Sequence, residues 1–390
     1  MTQQALRIHH VVPSVSVSYG GPSRSVPALC DALTELGHRV TLHTYGPTPA
    51  GEQLRYELLE YREPLVASRF GLSMDILHGL RAAARDSDIL HVHGLWTFSS
   101  LISAWAVRGT QCRLVVAPRG MLDPWALQQS AYKKRLAWVT AQGRAARAAQ
   151  LMHATAMSEA RAIRDMGLRA PIAVVPNGVD IPADADVARF DRSPRTLLFL
   201  SRIHPKKGLD GLLSAWGDVQ REFPDWRLHV VGPSNNDYLP KLKRMVHERG
   251  LERLEFFGVA EGAAKTEHFQ SAQMFILPTH SENFGLAVAE ALAYGLPVIV
   301  GRGAPWQEVE THQCGYWIDN AASEIAACLR VALRRSPEEL RQSGARGRTW
   351  MQREYSWLQV AEMMADAYAW LVRGRPIPAS IVVGDVTGAA

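Results

Sequence analysis

Apolar positions along this chain fall into two repeating patterns. Short apolar runs at 6–13 (LRIHHVVP), 39–44 (RVTLHT), 88–93 (DILHVH) and 113–117 (RLVVA) read as strands. Between them, 22–36, 74–85 and 99–108 carry helical periodicity, and the first of these stops ahead of Gly37. The polar stretch 180–195 (DIPADADVARFDRSPR) has no clear period, contains two prolines and reads as a linker. The same grammar then restarts. Strands are predicted at 196–201, 227–231, 254–257, 274–277 and 297–300, and helices at 209–222, 238–249 and 285–294. Strands alternating with helices predict two α/β units in series, each a doubly wound parallel sheet of Rossmann-like type. Ligands of such sheets bind at the carboxyl ends of the strands, so two units facing each other would hold a ligand in the cleft between them.

Bulk composition agrees. The chain has 390 residues, too many for one ordinary core and suited to two. A hydrophobic content of 47% with 21% charged residues describes a soluble globular protein. The net charge of +5 permits anionic partners such as nucleotides or phospholipid headgroups without requiring nucleic acid. Cys30, Cys112, Cys314 and Cys328 form no C-x-x-C pair, which argues for buried thiols in a reducing cytoplasm over a zinc or redox site. No secretory pattern opens the chain and no run of 18 apolar residues occurs. The expected location is therefore cytoplasmic.

Two segments carry candidate chemistry. In 280–297 (HSENFGLAVAEALAYGLP), Glu282 precedes a helix and Glu290 lies one to two turns inside it. Eight residues of helical rise span roughly 12 Å, the scale on which one carboxylate meets a sugar and the other a ribose with a diphosphate between them. The amides at that helix start, helped by Gly285, would cradle phosphate. An ordinary amphipathic helix with two solvated glutamates has the same spacing. In 201–208 (SRIHPKKG), Arg202 and Lys207 follow a strand directly. Together they would neutralise a diphosphate leaving group, or simply pair with acidic surface.

Taken together, these segments resemble glycosyltransferase family 4, retaining enzymes with two Rossmann-like domains (the GT-B fold). The resemblance also runs through Gly20-Gly21, His91-Val92-His93-Gly94, 153–159 (HATAMSE) and 175–180 (VPNGVD). Residues 118–126 (PRGMLDPWA), 304–306 (APW) and 314–317 (CGYW) resemble a branch associated with bacterial surface polysaccharide and lipopolysaccharide assembly. The resemblance implies an acceptor-side domain over 1–185, with 356–390 packing back on it, and a donor-side domain over 186–355. It implies that Arg202 and Lys207 hold the donor diphosphate and that Glu290 accepts from the ribose. Glu282 would contact the donor sugar with the backbone of Asn283, Phe284, Gly285 and Leu286. Gly20 and Gly21 would approach the phosphates, and Gly258 and Val259 the base. No cofactor and no metal is expected, because fixed cations and helix-end dipoles stabilise the leaving group.

One departure stands out. Many relatives carry a histidine after the strand at 113–117, where this chain reads Ala117-Pro118-Arg119-Gly120. Arg119 occupies that place and His93 is the second candidate to face the reacting centre. Arg119 would alternatively bind an anionic acceptor or the donor phosphate, and His93 would alternatively be structural.

The expected activity is transfer of a sugar from a UDP- or GDP-sugar to a hydroxyl of a lipid-linked oligosaccharide. The alternatives are a nucleotide-sugar epimerase, a phosphorylase with pyridoxal phosphate, or a non-catalytic sugar-nucleotide binder. A dehydrogenase is disfavoured because Tyr19-Gly20-Gly21-Pro22-Ser23-Arg24 lacks G-x-G-x-x-G. Residues 131–150 combine Lys133, Lys134, Arg135, Arg144 and Arg147 with Leu136 and Trp138 and no acid. This segment is either a peripheral contact for an anionic membrane or a solvated basic face over core. Asp86-x-Asp88 and Asp184-x-Asp186 mimic a metal-binding D-x-D but fall in a turn and in the linker, where a structural role is expected.

Overall fold

The computed structural model describes residues 4–16, 20–46, 54–62, 74–183, 187–234 and 237–385. The chain divides into two compact units, residues 1–178 with 357–390 and residues 179–356.

The first unit holds strands β1 (Arg7–Ser14), β2 (Arg39–Tyr45), β3 (Glu57–Tyr61), β4 (Ile89–His93), β5 (Arg113–Ala117), β6 (Leu151–Ala154) and β7 (Ile172–Val174). The second holds β8 (Arg195–Leu200), β9 (Trp226–Val231), β10 (Leu254–Phe257), β11 (Met274–Leu277), β12 (Val298–Gly301) and β13 (Gly315–Ile318). A last strand, β14 (Ile381–Val382), returns to the first unit. The sheet orders are β14-β7-β6-β5-β4-β1-β2-β3 and β10-β9-β8-β11-β12-β13. All pairings are parallel except β14 with β7, where Ile381 lies opposite Ala173. Each sheet starts in the middle, grows to one edge, then jumps back across its first strand. The chain reverses its direction of growth between β1 and β4, and between β8 and β11. Those are the switch points at which open α/β sheets leave a crevice at the strand ends.

Strand parity sets up the interior of the first unit. Leu90, Val92, Leu114 and Met152 fill one face of the sheet. Ile8, Val12, Ile89, Val115 and Leu151 fill the other, against helices Pro22–Glu35 and Trp357–Arg373. Alternation then places His10, His91, His93 and His153 on that second face, under the C-terminal helix. The second unit has a single continuous core from Val179 to Met351, with Trp216, Trp226 and Trp306 fully enclosed.

The segment 180–195 corrects the linker expectation. The division falls between Gly178 and Val179, and Val187–Asp191 forms a 3-10 turn of the second unit. Phe190 enters that unit's core, and Arg189 donates to the carbonyls of Tyr294 (2.6 Å) and Gly295 (2.9 Å). Two residues with large burial outweigh a polar average, which is why composition misplaced the boundary. Short strands β3, β6, β7 and β13 and the helices Ala322–Ala332 and Pro337–Glu354 are absent from the sequence-based expectation. They are three to five residues long or lack sharp periodicity.

Candidate active site

Lys207 and Glu282 meet at the switch point of the second unit, and Arg202 lies on the same loop as Lys207. The loop after β8 carries the two cations, and the loop after β11 carries the carboxylate. Backbone bonds lock the loops together. The Lys206 carbonyl accepts from the His280 N–H (2.8 Å) and the Thr279 hydroxyl (3.1 Å). Lys207, buried, donates to Glu282 Oε1 in an ion pair. Arg202 is exposed and makes no side-chain hydrogen bond or ion pair among the described residues. One cation is thus fixed by a carboxylate and one remains available for an anion.

Gly208 makes this approach possible. Its φ is +70°, and a β-carbon there would lie 2.0 Å from the Pro278 carbonyl oxygen. Backbone oxygen cannot yield cheaply, so Gly208→Ala is expected to destabilise the second unit by roughly 3 kcal/mol or more. A thermal melt of the variant would show it; an unchanged melting temperature would contradict this reading of the loop.

The segment after Glu282 is equally constrained. The Glu282 N–H donates to the Gly303 carbonyl (2.8 Å). Phe284 is buried against Trp306 at a ring separation of 5.1 Å, and the Trp306 indole donates to the Phe284 carbonyl. Gly285 adopts φ +86° and opens helix Leu286–Ala293, so its amides emerge beside Glu282. Glu290, in the second turn, accepts from Lys265 Nζ at 2.5 Å. Lys265 lies on helix Gly262–Ser271 and was not marked in the sequence. A lone lysine on a polar helix has no signature until the fold sets it beside Glu290. Gly258 follows β10 with its carbonyl accepting from the Gly232 N–H (3.1 Å), and Val259 beside it is 64% exposed. Asn283 and Leu286 are half-buried on the same stretch.

Gly20, Gly21, His93 and Arg119 belong to the first unit. Gly20 takes φ +92°, and the carbonyls of Gly20 and Gly21 accept from Ser23 and Ser25 as the helix Pro22–Glu35 begins. His93 and Arg119 touch. Arg119 Nε lies 3.2 Å and Nη2 3.0 Å from His93 Nδ1, and Nη1 donates to Asn177 Oδ1 at 2.8 Å. Burial lowers the Arg119 pKa to about 10. Its backbone is left-handed, φ +56°, an unusual state for a residue with a side chain.

Beneath Arg119 lies a stack of imidazoles that the sequence had not assembled. A guanidinium only donates, so His93 Nδ1 accepts and its Nε2–H donates to His10 Nδ1 at 2.9 Å. His153 Nε2–H donates to the Val175 carbonyl (2.8 Å), so its Nδ1 accepts from His91 Nε2–H (3.3 Å). His91 Nδ1 then accepts from the Tyr368 hydroxyl (2.7 Å). All four rings are neutral. Burial is the main cause, and the Arg119 charge adds to it. His10 is pushed down to about 3, and His91, His93 and His153 lie well below the ordinary imidazole value. Nitrogens of His10, His91 and His93 lie within 4.8 Å of one another, a spacing open to a metal ion. The neighbouring guanidinium and the existing ring-to-ring bonds oppose one there.

The D-x-D candidates separate. Asp88 Oδ2 accepts from the Arg7 N–H (2.8 Å), and Asp86 accepts from the Arg7 guanidinium through its carbonyl (3.0 Å). Both sit ahead of β4, at the end of the sheet opposite the strand-end crevice. Asp184 and Asp186 lie outside the described residues. All four cysteines are free and buried. The basic segment forms helices Ala131–Ala137 and Gly143–Arg147 around a π-helical turn, Trp138–Gln142. Among the described residues, no helix is long and apolar enough to cross a membrane.

Residues 20–178 match the family described as "Glycosyl transferase 4-like domain", and residues 180–350 match "Glycosyl transferases group 1". The chain is 33% identical over 222 residues to a D-inositol 3-phosphate glycosyltransferase of Segniliparus rotundus, covering 52% of this chain and 48% of that one. It is 38% identical over 130 residues to a phosphatidyl-myo-inositol mannosyltransferase of Mycobacterium tuberculosis, covering 32% and 33%. The match thus spans half or less of the length of these relatives. Among solved structures, Anabaena HepE in complex with UDP and glucose superposes with a TM-score of 0.73 at 18% identity, over 93% of this chain and 99% of that one. WaaG, a glycosyltransferase involved in lipopolysaccharide biosynthesis, gives 0.66 at 15% identity, over 94% and 100%. These likenesses identify the fold as that of GT-B glycosyltransferases. With both family domains matched in sequence order along one chain of that fold, the protein belongs to glycosyltransferase family 4.

Proposed function

We propose that the chain transfers a sugar from a nucleotide diphosphate sugar to an alcohol, with retention at the anomeric carbon. The observation that carries this reading is the meeting of Lys207 and Glu282 at the switch point of the second unit, with Arg202 on the same loop as Lys207. Arg202 and Lys207 take the diphosphate and stabilise it as the glycosidic bond breaks. The amides from Asn283 to Leu286 receive a phosphate oxygen, and Glu282 meets the sugar. Glu290, oriented by Lys265, accepts from the ribose hydroxyls, with the base near Gly258 and Val259. The leaving phosphate itself takes the acceptor's proton on the face it vacates, so no enzymic nucleophile, metal or cofactor enters the scheme.

The acceptor is a lipid-linked oligosaccharide of a surface polysaccharide. A second reading, an inositol phosphate or phosphatidylinositol, is favoured by the names of the two relatives above. Both readings place the acceptor at an anionic membrane or make it an anion itself. Tyr132, Leu136 and Val139 are exposed between Lys133, Arg135 and Arg144, which supports peripheral docking of this segment at the inner face of the membrane.

Calorimetric titration with UDP-, GDP- and ADP-sugars tests the donor site. One of these should bind, and Glu290→Ala should weaken it about tenfold by removing the ribose acceptor. If none binds, the assignment fails.

A further inference from the structure

Arg119 is a half-buried cation whose hydrogen-bond partners are all neutral. Nε–H and one N–H of Nη2 converge on His93 Nδ1, and one N–H of Nη1 goes to Asn177 Oδ1. That leaves one N–H on each terminal nitrogen without a partner among the described residues. The Glu159 carboxylate acts on Arg119 through its charge alone, and its oxygens are spent elsewhere. Glu159 accepts from the Gly120 N–H (2.6 Å) through Oε1, and from the Thr155 N–H (2.8 Å) and hydroxyl (3.0 Å) through Oε2. His93 offers no charge either, because it accepts from Arg119 and donates to His10.

The scaffold around this cation is rigid. Gly120, next in the chain, is pinned by Glu159, and Arg119 itself is held left-handed. His93, buried at the end of β4, presents one lone pair to the side edge of the guanidinium. Asn177, also buried, holds the other branch. A planar fork oriented by neutral acceptors, with donors left over on its terminal edge, is built to close on an oxyanion. It stands at the carboxyl ends of β4 and β5, where a sheet of this kind receives ligand.

We propose that Arg119 is the receptor for a phosphate or carboxylate carried by the acceptor, and that His93 and Asn177 are its positioning residues. This rests on the transferase reading above and narrows it: the accepted alcohol itself carries a negative charge. The donor diphosphate offers the same chemistry, so the test separates the two sources.

The probe is inorganic phosphate, titrated by calorimetry into the full chain with and without saturating UDP. Phosphate should bind while UDP is bound. Arg119→Gln should weaken phosphate at least tenfold and leave UDP within threefold. Asn177→Asp supplies an internal carboxylate to the fork, so it should also weaken phosphate with UDP unchanged, an effect a purely structural asparagine would not produce. Arg119→Lys keeps the charge without the fork and should retain part of the binding. If Arg119→Gln does not fold, Asn177→Asp and Arg119→Lys decide. Phosphate binding that is absent in the wild type, or unchanged in these variants, overturns the proposal. So does a tenfold loss of UDP affinity with phosphate unaffected, which would assign the fork to the donor. Failure of UDP to bind the wild type counts against the donor site alone, and the phosphate titration is then read without UDP.

Discussion

Transfer by the Arg202→Ala/Lys207→Ala double variant is expected to fall by on the order of 10³-fold. Each cation is assigned to the same developing diphosphate charge, so their losses overlap and do not multiply. Arg202 is exposed and makes no side-chain hydrogen bond or ion pair among the described residues, and its single replacement should therefore cost activity with little stability. Lys207 differs, because its removal leaves Glu282 poorly solvated and unpaired, with a side chain only 16% exposed. That costs stability as well, about 1–3 kcal/mol. Lys207→Ala combined with Glu282→Gln removes the stranded charge, so its melting temperature set against that of Lys207→Ala isolates the stability part. Single-turnover rates together with thermal melts check both statements. Transfer within fivefold of wild type in a folded double variant would remove these cations from the mechanism.

The second large effect concerns acid. His10 and His43 are pushed down to about 3, and His91, His93 and His153 lie well below the ordinary imidazole value, in each case chiefly through burial. The groups facing them supply no countercharge. They are Arg119, the hydroxyls of Tyr61 and Tyr368, the Val175 carbonyl, and His9. The unfolded chain takes up these protons near pH 6.5, while the folded first unit resists them to much lower pH. Stability is therefore complete above about pH 6.5 and is lost as pH falls toward the depressed folded values. Each ring that stays neutral costs about 1.4 kcal/mol per pH unit in that window. A domain holds about 5–15 kcal/mol in total, so a few such rings suffice, and unfolding of the first unit is expected as pH falls from about 6.5 toward 4. Near-ultraviolet circular dichroism followed from pH 8 to pH 4 would detect it. Native signal and melting temperature preserved at pH 4 would contradict it.

Much of the donor-side arrangement was readable because its residues are close in sequence and sit on elements with clear signals. Arg202 and Lys207 follow an apolar strand directly, and Glu282, Gly285 and Glu290 straddle the start of a helix with strong apolar character. Local rules place such residues at a strand end and a helix start without tertiary knowledge. Lys265 was invisible for the opposite reason: it reaches Glu290 across 25 positions from a helix with no pattern of its own. Arg119 was recognisable as a departure, but Asn177, 58 positions away, was not recognisable as its partner.

The histidines show where the two kinds of information divide. Period-two alternation in LRIHHVVP and DILHVH determined that each strand would turn its imidazoles to one face, and alternating strands and helices determined two doubly wound sheets. Only the sheet order β6-β5-β4-β1, with its register pairing His10 to His91, brought the four rings together beneath Arg119. Only their mutual hydrogen bonds settled which nitrogen carries each proton. The cause is physical: side-chain parity is a property of one strand, whereas neighbourhood, burial and the polarity of a hydrogen-bond chain belong to packing between strands distant in sequence.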